Sequence, residues 1–283
     1  MKFLFAPLAL AIVFTIQSAA RATPFLSVDI ESTSGATTQA GFTSWGVAAA
    51  GASNFSAVSK TFSGIGAGDV DDGTFAATVT GWSTTSGSTV ATATLGERNR
   101  SAPTYSGATN TNMLADLLFN AAVNNQGRTF MTLAFTGLTA SKSYNVTVFS
   151  YDNNGASATN WTTIAPPSAS LGYGGTSTFV AHTNITNSSG NTPPTTNNGG
   201  SSPTNTSDPS GSATFNITTD GSGNATLYAW GGNGVDGNTS SSGINPYLNG
   251  FAIESVPEPG ACMLAVLGGL ALLGSRKFLL RSV

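Results

Sequence analysis

Phe135-Thr136-Gly137-Leu138-Thr139-Ala140-Ser141-Lys142-Ser143-Tyr144-Asn145-Val146-Thr147-Val148 holds the end of one alternating segment, a short turn, and the start of another. In its second half Tyr144, Val146 and Val148 alternate with Ser143, Asn145 and Thr147. That period of two is the mark of a strand with one apolar and one polar face.

The same pattern recurs outward from this stretch. Upstream, Phe25 to Ile30, Phe42 to Val47, Phe75 to Trp82, Thr89 to Leu95 and Arg128 to Phe135 read as strands. Downstream, Ser143 to Tyr151, Phe179-Val180, Ala213 to Ile217, Ala225 to Trp230 and Tyr247 to Ile253 do the same. Gly, Ser and Asp supply the turns between them. Met113 to Phe119 is the exception and reads as a helical turn or two, with Asn110 or Thr111 as N-cap. Many short strands separated by turn signals predict an all-β chain, a single antiparallel β-sandwich over residues 23–254. Residues 183–210 are Asn, Thr, Ser, Gly and Pro with hardly an apolar side chain. Such a tract buries too little surface to offset its ordering entropy, so a disordered polar loop is expected there, with an interdomain linker as the alternative.

Gly137-Leu138, a short turn, then Tyr144-x-Val146-x-Val148 resembles the tyrosine corner of fibronectin type III and related sandwiches, where a Leu and a Tyr six positions later clamp the crossing between sheets. Ala140-Ser141 stands where that family usually has Pro. The segment also looks like the galactose-binding-like jelly-roll modules of exported bacterial proteins. In these, an opening strand such as Ser27–Ile30 and a closing strand such as Leu248–Ile253 pair near the termini. The chain is too long for one fibronectin module, which favours a jelly-roll-like sandwich.

Both ends carry sorting patterns. Lys2, the apolar run Phe3 to Ile16 and the small-residue site Ala20-Arg21-Ala22 read as a secretory signal peptide over 1–22. At the other end, Val256-Pro257-Glu258-Pro259 precedes an uncharged run from Ala261 to Gly274, then Arg276, Lys277 and Arg281. The two prolines hold the tetrapeptide extended and keep it out of any following helix. A transmembrane helix over about 260–280, with Arg276 and Lys277 snorkelling, has the length to span a bilayer. The basic residues beyond it favour the cytoplasmic side. This three-part tail, residues 255–283, resembles the PEP-CTERM sorting signal. The resemblance implies recognition by an exosortase, a membrane-embedded cysteine protease-transpeptidase. It also implies export through the inner membrane, transient anchoring by the helix, and release to the cell surface or extracellular matrix.

Composition narrows the remaining choices. Residues 23–260 hold five cationic side chains against thirteen carboxylates, a net charge of −8, which excludes a nucleic-acid surface built on clustered Lys and Arg. Cys262 is the only cysteine, so no disulfide can form within the chain. His182 is the only histidine, there is no Gly-x-Ser-x-Gly elbow, and histidine-cluster zinc sites fail by count. No catalytic residue is assigned, and the chain is read as a non-enzyme. Asp69, Asp71, Asp72, Asp152 and Asp236 are the carboxylates from which a two-acid glycosidase would have to draw. Asp69, Asp71 and Asp152 are better candidates for calcium, on Asp69-Val70-Asp71-Asp72-Gly73 and Asp152-Asn153-Asn154-Gly155. No other cofactor is expected. Trp161, Tyr228, Trp230 and Tyr247 are the candidate sugar-stacking aromatics, with core packing the competing use. The sequence thus reads as an exported structural or adhesive surface protein, or as a carbohydrate-binding module for an exopolysaccharide.

Overall fold

The computed structural model describes residues 24–32, 36–47, 56–66, 70–84, 90–92, 94–121, 128–152, 158–163, 183–186, 195–198, 205–207, 210–231 and 245–256. Their alternation becomes three sheets, with strands numbered in chain order. The first has the order β14 (Ser212–Thr218), β9 (Ser143–Phe149), β17 (Gly250–Ser255), β1 (Leu26–Glu31), β2 (Thr43–Gly46). The second runs β13 (Asn205–Ser207), β12 (Thr195–Asn198), β11 (Thr183–Thr186), β10 (Ala158–Thr162), β15 (Ala225–Gly231), β8 (Arg128–Thr136), β4 (Thr74–Thr84), β3 (Ala57–Ser63), and β5 (Val90–Thr92) adds to β4. The third is β16 (Tyr247–Leu248), β7 (Asp116–Ala121), β6 (Thr94–Asn99). Among the described residues there is no α-helix; the 3-10 turn Met113–Ala115 is the one helical element.

The fold is all-β, and its arrangement is consistent with a β-sandwich. Val28, Ile30, Tyr144, Val146, Val148, Phe251 and Ile253 of the first sheet share one buried cluster with Phe75, Val79, Met131, Leu133, Phe135 and Leu227 of the second. Aromatic rings knit the two faces: Phe135 meets Phe251 edge-on at 5.4 Å between centroids, and Phe62 meets Phe251 edge-on at 6.1 Å. The opening and closing strands pair antiparallel, Val28 opposite Phe251 and Asp29 opposite Gly250. Pro24–Glu254 forms one compact unit.

The chain crosses from the second sheet to the first between β8 and β9, and this crossing is pinned at several points. Gly137 takes a left-handed φ of 82°, and Leu138 is buried behind it. The Tyr144 hydroxyl accepts a hydrogen bond from the Thr139 amide at 3.0 Å. Thr219, just after β14, receives the Lys142 amide at 3.0 Å and donates to the Thr139 carbonyl at 2.7 Å. The crossing and the β14–β15 turn therefore fold as one interlocked unit.

Several expectations change. Met113 to Phe119 is a 3-10 turn followed by strand, not a helix: its continuous apolar run suits either state, and six-residue pairing of β6 with β7 decides for strand. Tyr247 to Ile253 is two strands in different sheets, with the change made at Asn249. Its side-chain amide donates to the carbonyls of Asp116 (2.7 Å) and Tyr151 (3.1 Å), and its side-chain oxygen accepts the Tyr151 amide at 2.6 Å. β1 and β2 pair in parallel, so the sheets are not wholly antiparallel. The 183–210 tract holds β11, β12 and β13, where a disordered loop was expected. Hairpins added to the edge of β10 gain ladder hydrogen bonds without a core of their own, and Ile185 is buried in the main cluster. β3 and β10 were not among the expected strands: β3 alternates, but Lys60 interrupts its Val58–Phe62 face, whereas β10 buries Thr159, Asn160, Trp161 and Thr162 in succession. The expected strand at Phe179-Val180 lies outside the described residues.

Candidate functional site

With Val28 and Ile30 turned into the core, Asp29 and Glu31 of β1 fall on the opposite face of the first sheet. There Met113 closes over the strand pair: a Cβ at Gly250 would lie 2.7 Å from the Met113 sulfur and 2.3 Å from the Val28 carbonyl, so only glycine fits. Asp29 is sealed beneath this cover with no exposed surface. Asp29 Oδ2 accepts the Gln39 amide at 2.6 Å, and the Gln39 side-chain oxygen in turn accepts the Asn112 amide at 3.2 Å. Asp116, at the start of β7 and also buried, accepts Ser32 Oγ at 2.6 Å and Asn99 Nδ2 at 3.1 Å on the same Oδ1. Glu31 receives the hydroxyls of Thr38 and Ser44, the latter at 2.5 Å.

Three carboxylates thus come together from two strands, and no ammonium or guanidinium of the described residues pairs with them. The amine of Lys60 donates instead to the Ser44 carbonyl. Burial pushes the Asp29 carboxyl up to about 6, with the charges of Glu31 and Asp116 adding to it against the Gln39 amide. Burial likewise raises Asp116, opposed by its bonds from Ser32 and Asn99. Asp29 Oδ1 is buried and has no hydrogen-bond partner. The side chains of this group present hard oxygens, suited to holding a proton or a hard cation.

Asp152 presents the opposite case. Its Oδ1 receives Arg100 Nε at 3.0 Å and its Oδ2 receives a terminal Arg100 nitrogen at 3.3 Å, with Arg98 3.8 Å away. Two aromatic hydroxyls flank it: burial raises both Tyr151 and Tyr247, and the Asp152 charge adds to each. With a guanidinium nitrogen on each oxygen, Asp152 is an ion-pair partner. Asp71 and Asp72 are exposed on the turn that Gly73 closes onto the Val70 carbonyl, and Asp69 lies outside the described residues. Among the described residues no three His, Cys, Asp or Glu side chains are grouped as a metal site.

The aromatic candidates separate. Trp161 has no exposed surface and donates its indole N–H to Ser150 Oγ at 2.9 Å; Trp230 and Tyr247 are each 5% exposed. None of these three offers a ring face for a sugar. Tyr228 is half-buried on the outer face of the second sheet, opposite Thr132. Trp82 is half-buried on that same face and donates to Thr132 Oγ1 at 3.2 Å. The sequence reading passed over Trp82, although its step of two from Thr80 already set it on the polar side of β4.

Of the tail motif only Val256 is described; Pro257, Glu258, Pro259, Arg276, Lys277 and Arg281 lie outside the described residues, as do the 1–22 and 260–280 segments, His182, Cys262 and Asp236. Among the described residues no helix is long and apolar enough to cross a membrane. No protein-family model, curated protein or solved structure matches the chain.

Proposed function

We propose that this is an exported structural or adhesive protein: a jelly-roll-like sandwich carrying an N-terminal signal peptide and a C-terminal sorting tail that exosortase recognises and cleaves. The observation that carries the reading is where the ladder stops. β17 ends at Ser255, and Val256-Pro257-Glu258-Pro259 follows at once. A protease cleft takes unpaired, extended peptide, and the two prolines disfavour both helix and further ladder pairing. The β region supports a non-catalytic role through what its polar groups do: Asp152 is neutralised by Arg100, and Ser150, Asn249 and Thr219 are committed to backbone or indole partners.

Mass spectrometry of the mature protein from an exosortase-bearing host tests this. Loss of the tail after the Pro-Glu-Pro region is expected, and replacing Pro257 and Pro259 by Ala should leave the tail intact. A full-length mature chain in that host overturns the sorting reading. A second reading, a carbohydrate-binding module, is favoured only by Tyr228 and Trp82 on one face. It predicts glycan-array binding that Trp82→Ala abolishes while Tyr247→Phe, a change within the core, leaves it intact.

A further inference from the structure

We propose that Asp29 and Asp116, with Glu31 adding charge, hold one divalent cation of the calcium class at the junction of β1 and β7. This goes beyond the sorting reading and does not depend on it. An acidic cluster alone would not identify a cation site. The second observation is Asp29 Oδ1, an oxygen of a carboxylate with no exposed surface, beside two further carboxylates and with no hydrogen-bonding partner. Leaving such an oxygen unpaired is costly, and some ligand must compensate it.

A proton compensates poorly. A proton on Oδ1 would neutralise Asp29 alone, and the charge on Asp116 would remain. A cation bridges what a hydrogen bond cannot reach: with calcium–oxygen distances of about 2.3–2.6 Å, ligand oxygens on its two sides stand up to about 5 Å apart. The chemistry of the surroundings selects the class. Asp29 and Asp116 supply charge, and Ser32 Oγ, bonded to Asp116, is a neutral oxygen beside them, while Gln39 joins the group through its backbone amide on Asp29. An all-oxygen, irregular set of this kind suits calcium; magnesium demands near-octahedral geometry at about 2.0–2.1 Å and gives up its water reluctantly. Bound there, the cation would tie the first sheet to the third. The exposed Asp71-Asp72 turn, by contrast, shows no buried oxygen in want of a partner.

The test is titration of the full chain, in detergent, with calcium chloride alone at about pH 7.5, read by calorimetry and by thermal unfolding against a chelator control. One calcium per chain is expected, with a Kd of about 10⁻⁴–10⁻³ M and a Tm raised by several degrees. Asp29→Asn keeps the shape and the Gln39 contact, so its Kd should weaken at least about tenfold and its Tm should stop responding to calcium. Asp116→Asn should weaken binding by a similar factor, and the Asp71→Asn, Asp72→Asn double variant should bind as the parent does. No heat and no Tm response in the parent chain up to about 10 mM calcium would overturn the proposal, whatever the variants do. So would undiminished binding by Asp29→Asn, or binding lost only in the Asp71/Asp72 variant.

Discussion

Asp152 and Asp29 are both buried carboxylates, and the chain treats them in opposite ways. Asp152, 2% exposed, sits under Arg100 with a guanidinium nitrogen on each oxygen. Asp29, at 0%, has one backbone amide, two like-charged neighbours and an orphaned oxygen. Burial costs any charge its hydration, and only a matched counter-charge returns it. The difference teaches that a buried acid in this chain is structural where arginine is supplied with it, and is an open valence where it is not.

Breaking the satisfied half gives the largest effect. Arg100→Ala strands the Asp152 charge between Tyr151 and Tyr247 and should cost about 3–5 kcal/mol in urea unfolding. A loss below about 1 kcal/mol would mean that Arg98 or water replaces the lost partner. The unsatisfied half should reveal itself through pH. The folded chain holds the Asp29 proton near pH 6, whereas the unfolded chain releases it at the ordinary value of 3.8. More protons are therefore bound in the folded state between those values, and calcium-free stability should fall as pH rises through that window. For Asp29 the fall is up to about 3 kcal/mol, with Asp116 adding in the same direction, and Asn at position 29 should flatten most of it. Glu31 and Lys60 are the other charges facing the group, and neither Glu31→Gln nor Lys60→Met should remove the slope.

Smaller effects sharpen the contrast. Ser32→Ala takes from Asp116 its 2.6 Å hydroxyl donor and should cost about 1–2 kcal/mol, lost on protonation of Asp116 in acid. Arg98→Ala should cost about 0.5 kcal/mol or less. Its side chain is 44% exposed, and 3.8 Å from Asp152 it is the outer member of the pair, held partly by its 4.2 Å approach to the Phe119 ring.

Most strands were readable because their environment is two-sided. β4, β8, β9, β14 and β15 each bury alternate residues, and the pattern survives in the sequence. β10 was not readable, since four consecutive residues including Thr159 and Asn160 are buried and alternation disappears. Asn249 looked like one more strand residue, yet its side chain makes three bonds to Asp116 and Tyr151 where β16 gives way to β17. The candidate site fared likewise. The strand carrying Asp29 was legible, but nothing local announced that Met113 and Asp116 would cover it from more than eighty residues away. Asp152 was offered to calcium because its neighbours Asn153, Asn154 and Gly155 resemble a ligand turn; its actual partner is fifty-two residues upstream.

By itself the sequence determined the all-β class, the tyrosine-pinned crossing at Leu138–Tyr144 and the pattern of the two chain ends. These depend on side-chain periodicity and on local turn chemistry, which are written within a few residues. Tertiary structure alone decided which carboxylate received a guanidinium, which tryptophans lost their exposed faces, and which acids were shut in together. Those outcomes depend on burial and on charges brought from distant strands, and desolvation exists only once the sheets have closed.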